Sequence, residues 1–95
     1  MTADSGGVSK SVEIVNRRGL HARASARLAK DAGDFQSVIM VCKNDSCVTA
    51  TSIMGLMMLG AAKGDTISIL AEGPDQDAAL EQVSALVESR FGEAE

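Results

Sequence analysis

Apolar residues recur along this chain with two different periods, and each change of period marks a boundary. From Lys10 to Asn16 they alternate, with Val12 and Ile14 on one face and Ser11 and Glu13 on the other, which predicts a half-buried strand. Asn16-Arg17-Arg18-Gly19 breaks the pattern with turn chemistry. His21 to Ala32 is dense in strong helix formers, and Gly33 is the natural stop. On that helix Ala22, Ala26 and Ala29 share one face with Leu28 beside them, while Arg23, Arg27 and Lys30 share another. Phe35 to Lys43 returns to strand composition, Asn44-Asp45 reads as a tight turn, and Ser46 to Ala50 completes a hairpin. Ser52 opens a short helix from Ile53 to Leu59, closed by Gly60. After the loop Gly60-Ala61-Ala62-Lys63-Gly64, the segment Thr66 to Ala71 alternates with Ile67 and Ile69 inward. Gly73-Pro74-Asp75 interrupts again. From about Gln76 to Arg90 the stripe of Leu80, Val83, Val87 and Phe91, with Ala79 and Leu86 at its margins, predicts a final helix.

The predicted order is βαββαβα. Helices with one apolar stripe beside strands with one apolar face imply two layers, a sheet covered by helices on one side and open to water on the other. This is an α+β architecture, and strand order does not follow from the patterns. A chain of 95 residues builds one core. One domain is expected over 10–91, with a flexible polar tail at 1–9 and a short tail at 92–95.

Composition narrows the function classes. Trp and Tyr are absent, Phe35 and Phe91 are the only aromatics, and the net charge is −4, so neither a stacking platform nor a basic groove for nucleic acid is available. Cys42 and Cys47 flank the predicted turn, without the spacing of a redox motif or the further ligands of a zinc site. They read as buried or half-buried strand thiols in a reducing compartment. No apolar run approaches the ~20 residues of a membrane span, and the N-terminus lacks a signal-peptide core, so the cytoplasm is the expected location.

The stretch Arg17-Arg18-Gly19-Leu20-His21-Ala22-Arg23 carries the candidate chemistry. His21, the one histidine, falls where the chain leaves a turn and enters a helix. Helix N-termini favour acidic neighbours, yet three arginines gather at this one. Those charges and the open N–H groups together make an anion site. A neutral imidazole there is a nucleophile. A phosphoryl group taken onto the ring would lie against helix amides and arginine, which supplies the positioning and charge stabilisation that such transfer needs. The same residues also fit a histidine that only caps a helix, beside arginines that are plain surface charge.

Gly19-Leu20-His21-Ala22-Arg23 resembles the active-site motif of the HPr family, the histidine-containing phosphocarriers of the phosphoenolpyruvate:sugar phosphotransferase system. A second block, Thr51-Ser52-Ile53-Met54-Gly55-Leu56-Met57-Met58-Leu59-Gly60, resembles that family's regulatory-serine segment, and the spacing between the blocks and the Ala62-Lys63-Gly64-Asp65 turn fit as well. The similarity covers roughly residues 10–90. It implies an open-faced sandwich, a four-stranded antiparallel sheet covered on one face by three helices. It further implies that His21 is phosphorylated on Nδ1 by enzyme I, using phosphoenolpyruvate, and donates to enzyme IIA domains. Arg23 would neutralise the phosphoryl charge, and Ser52 would be modified by HPr kinase/phosphorylase using ATP. The implied role is a monomeric carrier in sugar transport, a phosphoprotein rather than a free-standing enzyme. It needs no metal or organic cofactor of its own, although the kinase and enzyme I would use magnesium.

Two features depart from the family pattern. Ala24 stands where proline usually follows the arginine, which loosens the first helical turn and bears on partner preference. The N-terminal polar tail is longer. Ser52 also reads simply as a helix N-cap, and the two roles are compatible. Leu20, Ala24, Arg27, Met54, Met57 and Met58 are the candidate partner-facing residues, with one of Met57 and Met58 expected in the core. The competing function is a regulatory binding module, nitrogen-branch or transcription-linked, whose phosphorylation state controls docking without moving sugar. A structural or metal-binding domain is disfavoured, because one histidine and two cysteines do not assemble a site.

Overall fold

Alternation and turn chemistry produce one antiparallel sheet under three helices. The computed structural model describes residues 6–93 and contains β1 (Val8–Glu13), α1 (Ala22–Gly33), β2 (Val38–Lys43), β3 (Ser46–Thr49), α2 (Ile53–Met58), β4 (Thr66–Glu72) and α3 (Gln76–Glu88), then a 3-10 turn at Arg90–Gly92. The sheet order is β1-β4-β2-β3, with every neighbour antiparallel. In register, Val12 faces Ile67 and Val41 faces Ile69, so the branched residues of three strands stack into one buried row. α3 lies across β1, β4 and β2, and α1 packs on both α2 and α3. Leu28, Leu56, Val83 and Val87 project from the three helices into this core. Burial of each such side chain contributes about 1.5–3 kcal/mol. No described helix is long and apolar enough to cross a membrane.

Several boundaries differ from the sequence reading, each for a local reason. β1 starts at Val8, so Val8 and Ser9, expected in the tail, pair with Ala71 and Leu70; Met1 to Ser5 lie outside the described residues. β2 starts at Val38 rather than Phe35 because Asp75 captures the preceding backbone. Its carboxylate accepts from Gln36 N–H at 3.0 Å, from Ser37 N–H at 2.9 Å and from the Ser37 hydroxyl. The Ser37 and Gln36 bonds hold that carboxyl below the ordinary aspartate value. On α1 the buried stripe is Ala24, Ser25, Leu28, Ala29 and Ala32, not the one through Ala22 and Ala26. Ser25 can be buried because its hydroxyl donates to Leu20 O at 3.1 Å. α3 ends at Glu88, short of Arg90. The Ser89 hydroxyl donates to Leu86 O at 2.9 Å, competing with the helical ladder, and Phe91 enters the core through a reversed turn. Gly92 and Glu93, expected in a C-terminal tail, belong to the folded unit; Ala94 and Glu95 lie outside the described residues.

The cysteines require a correction. Cys42 and Cys47 stand directly opposite one another on β2 and β3, with Cα atoms 4.0 Å apart, and are joined as a disulfide rather than held as separate thiols. Spacing along the chain concealed the pairing, because a two-residue turn folds the two positions into register.

The α2–β4 loop forms the floor beneath the β1–α1 turn. Lys43 Nζ donates to Gly60 O at 3.1 Å and pairs with Asp65 at 3.0 Å, while Asp65 accepts from Ala62 N–H at 2.9 Å. The Ala62 amide and then Lys43 hold the Asp65 carboxyl below its ordinary value. The turn sits on that floor through Leu20 N–H to Ala61 O at 3.0 Å. Gly19, at φ 62, is pressed so closely that a Cβ would lie 2.4 Å from Ala61 O. Only glycine fits there.

Because the disulfide closes a loop with only four residues between its cysteines, its loss has a limited thermodynamic effect. Reduction, or the Cys42→Ser/Cys47→Ser pair, should lower unfolding free energy by at most about 2 kcal/mol. Urea denaturation with and without a thiol reductant measures it, and two-state unfolding should persist in both.

Candidate functional site

The site is built from a turn, a helix start and the chain's far end. After β1, Asn16 is wholly buried and its amide donates to Gly19 O at 2.9 Å, closing the Arg17–Arg18 turn. The clamped Gly19-Leu20 pair then delivers His21 to the N-cap of α1, in an extended conformation. His21 O accepts the first helical bond from Ser25 N–H at 2.9 Å, and its Nδ1 accepts from Arg23 N–H at 3.3 Å. An imidazole thus occupies the capping place usually held by a serine or aspartate oxygen.

The ring's tautomer follows from its partners. A nitrogen that accepts an N–H carries no proton, so the proton resides on Nε2, where Glu93 Oε2 accepts it at 2.7 Å. The other Glu93 oxygen, Oε1, accepts from the Asn16 amide at 3.2 Å. Partial burial pushes the Glu93 carboxyl up. The hydrogen bonds from His21 and Asn16, with the Arg18 charge behind them, outweigh that and hold it below its ordinary value. The His21 side chain is 16% exposed, so the ring is only partly open to solvent. Arg17, Arg18 and Arg23 are exposed around it. An unprotonated nitrogen beside helix amides and arginines can receive an anionic electrophile and hold the product.

Of the residues singled out from sequence, His21 and Arg23 come together as anticipated. Ser52 is the N-cap of α2, its hydroxyl accepting from Gly55 N–H at 3.0 Å. The expected partner surface divides. Leu20 and Ala24 are buried, at 5% and 1% exposure, and are unavailable to a partner: Leu20 lies under the clamped turn and Ala24 on the core stripe of α1. Arg27 is exposed and reaches Asp31 at 3.9 Å along the helix. Met54, Met57 and Met58 are all exposed, with Ile53 beside them, so neither late methionine is a core residue; Leu56 takes that part alone. Three contributors were absent from the sequence reading. Asn16 read as the end of a strand, Ser25 as one more helix former, and Glu93 as tail. For Glu93 no local signal exists, since it lies 72 positions from its partner.

Comparison with known proteins agrees with this arrangement. Residues 8–89 match the family described as the PTS HPr component phosphorylation site. The chain is 47% identical over 88 residues to the phosphocarrier protein HPr of Neisseria meningitidis, covering 93% of this chain and 99% of that one. It is 41% identical to the phosphocarrier protein NPr of Shewanella violacea, covering 92% and 96%. Among solved structures, HPr-C-His from Thermoanaerobacter tengcongensis superposes with a TM-score of 0.88 at 41% identity, over 93% of this chain and 99% of that one. In sequence over nearly its whole described length, and in its open four-stranded sheet under three helices, this chain belongs to the HPr family of phosphotransferase-system phosphocarriers.

Proposed function

We propose that this chain relays phosphoryl groups in the cytoplasm as a monomer, accepting them on His21 Nδ1 from phosphorylated enzyme I and passing them to enzyme IIA domains. The observation that carries this reading is the pair of ring hydrogen bonds, which leaves Nδ1 unprotonated and directed at the start of α1. In the proposed transfer the Nδ1 lone pair leaves the Arg23 amide and attacks phosphorus. The freed amide then serves a phosphoryl oxygen, supported by the positive end of the helix, equivalent to roughly half a charge. Arg23 adds its own charge at an exposed position from which it can follow the group into a partner's site. The chain itself completes no reaction cycle; its partners load and unload it.

The exposed apolar face of α2 suits docking. Ile53, Met54, Met57 and Met58 form a flexible surface beside α1, adaptable to more than one partner. In the regulatory part of this proposal, phosphorylation of Ser52 by HPr kinase/phosphorylase sets a doubly charged group at the edge of that face. The helix tolerates the charge at its N-cap, but an apolar interface does not.

Incubation with phosphoenolpyruvate, magnesium and enzyme I should add one acid-labile phosphoryl group by intact mass, and His21→Ala should add none while remaining folded. A folded parent chain that stays unmodified beside a matched, active enzyme I would refute the relay. In the same assay Arg23→Ala should slow loading by about tenfold; an unchanged rate removes the guanidinium from the mechanism. Ser52→Asp should keep the melting temperature near the parent's, because aspartate also caps helices, while weakening enzyme I binding about tenfold in calorimetry. Equal affinity would remove the basis for a regulatory Ser52.

A further inference from the structure

Glu93 reaches His21 only because the chain reverses sharply after α3. Arg90 and Phe91 adopt φ 63 and 56, and Gly92 follows at φ 77. Residues with side chains seldom occupy this left-handed region, and they stay there only where surrounding contacts impose it. Here Phe91 is buried, and the turn is closed by Gly92 N–H to Ser89 O at 3.1 Å and Glu93 N–H to Arg90 O at 2.9 Å. What the reversal delivers is a carboxylate with both oxygens engaged in the site, Oε2 on His21 Nε2 and Oε1 on the Asn16 amide. Asn16 is itself fully buried, and its Oδ1 has no hydrogen-bond partner among the described residues. Its donor end holds Gly19 O on one side and Glu93 on the other. A strained turn and an under-satisfied buried amide, from opposite ends of the chain, together hold the carboxylate that meets one imidazole nitrogen.

We propose that Glu93 is a positioning residue for phosphoryl acceptance at His21. By taking the hydrogen bond of the Nε2 proton it fixes the tautomer whose lone pair is on Nδ1 and blocks Nε2 as a competing nucleophile. It also stabilises the positive charge that grows on the ring during attack. This rests on the reading of His21 as the phosphoryl acceptor. In the step, the Nδ1 lone pair forms the new N–P bond. The donor's P–N bond breaks, and its electron pair leaves on the donor nitrogen. The Nε2 proton stays on the ring against Glu93 throughout, so the same contact serves the return transfer. Carboxylates paired with histidines play this part in metal sites and in nucleophilic triads, where they set tautomer and ring orientation. The His21 and Asn16 hydrogen bonds favour the ionised carboxylate that the role requires.

The test compares the full chain with Glu93→Gln and Glu93→Ala, using phosphoramidate as a small donor that needs no protein docking. Nitrogen-15 spectra of the imidazole report the tautomer before any donor is added, and phosphorus-31 spectra report which ring nitrogen is modified. The parent should show the Nε2-protonated form alone and react at Nδ1 alone. Glu93→Ala should show both tautomers, react at both nitrogens and lose at least about tenfold in rate at Nδ1. Glu93→Gln keeps an acceptor oxygen without the charge, so it should retain Nδ1 selectivity but react more slowly than the parent. Melting curves close to the parent's exclude a merely structural effect. Unchanged tautomer, selectivity and rate in Glu93→Ala would overturn the proposal. A parent chain that takes no phosphoryl group, even though its tautomer responds to Glu93→Ala, would instead overturn the reading of His21 on which the proposal rests.

Discussion

The hydrogen bond from the Arg23 amide to His21 Nδ1 ties the structural and the proposed chemical roles of one lone pair together. As a cap it satisfies one of the orphan amides of α1, a service worth about 1 kcal/mol when a conventional side chain supplies it. At 3.3 Å it is a long bond, so the lone pair is oriented without being firmly consumed. In the proposed relay a phosphoryl oxygen takes over the same amide, and the helix exchanges a neutral cap for an anionic one that its dipole prefers. The helix start need not rearrange to be loaded or unloaded, which suits a carrier whose two transfers must both run easily.

That economy depends on the turn being unable to drift. Gly19 is pressed onto Ala61 at a distance no side chain could share, and Leu20 bonds the same carbonyl. Lys43 and Asp65 brace the loop beneath, and Asn16 closes the turn from within. Each bond is ordinary, and the exposed ones contribute little to stability. Their collective effect is geometric: a turn braced from below and closed from within has one place to be.

Legibility in the sequence followed the range of the interaction. Every helix and strand was readable, since period, caps and turn residues are local signals, and Ser52 and Gly60 mark the ends of α2 as written. His21 and Arg23 were readable for the same reason, lying two positions apart at a helix start. Strand order has no local signal, because β4 inserts between β1 and β2 through pairings that no local pattern encodes. The end of α3 was misread because Phe91 continues the apolar stripe, whereas the backbone reaches the same burial by reversing direction. Leu20 and Ala24 looked like surface because they flank the reactive residue. A clamped turn needs an apolar underside, and they supply it.

The same division explains why docking and chemistry can share so small a protein. Residues that fix the ring, from Asn16 through Ser25, are buried or bonded, and a change there disturbs the fold. The methionines of α2 are exposed on a six-residue helix anchored by Leu56 alone, so they can alter shape or identity at little structural cost. A carrier that meets a donor and several acceptors gains from this separation. In the proposed docking, partner preference can change on α2 while the imidazole keeps its orientation. The Cys42–Cys47 bridge belongs to a third region, the hairpin that leads into α2, where covalent closure steadies the strands without touching the reactive ring.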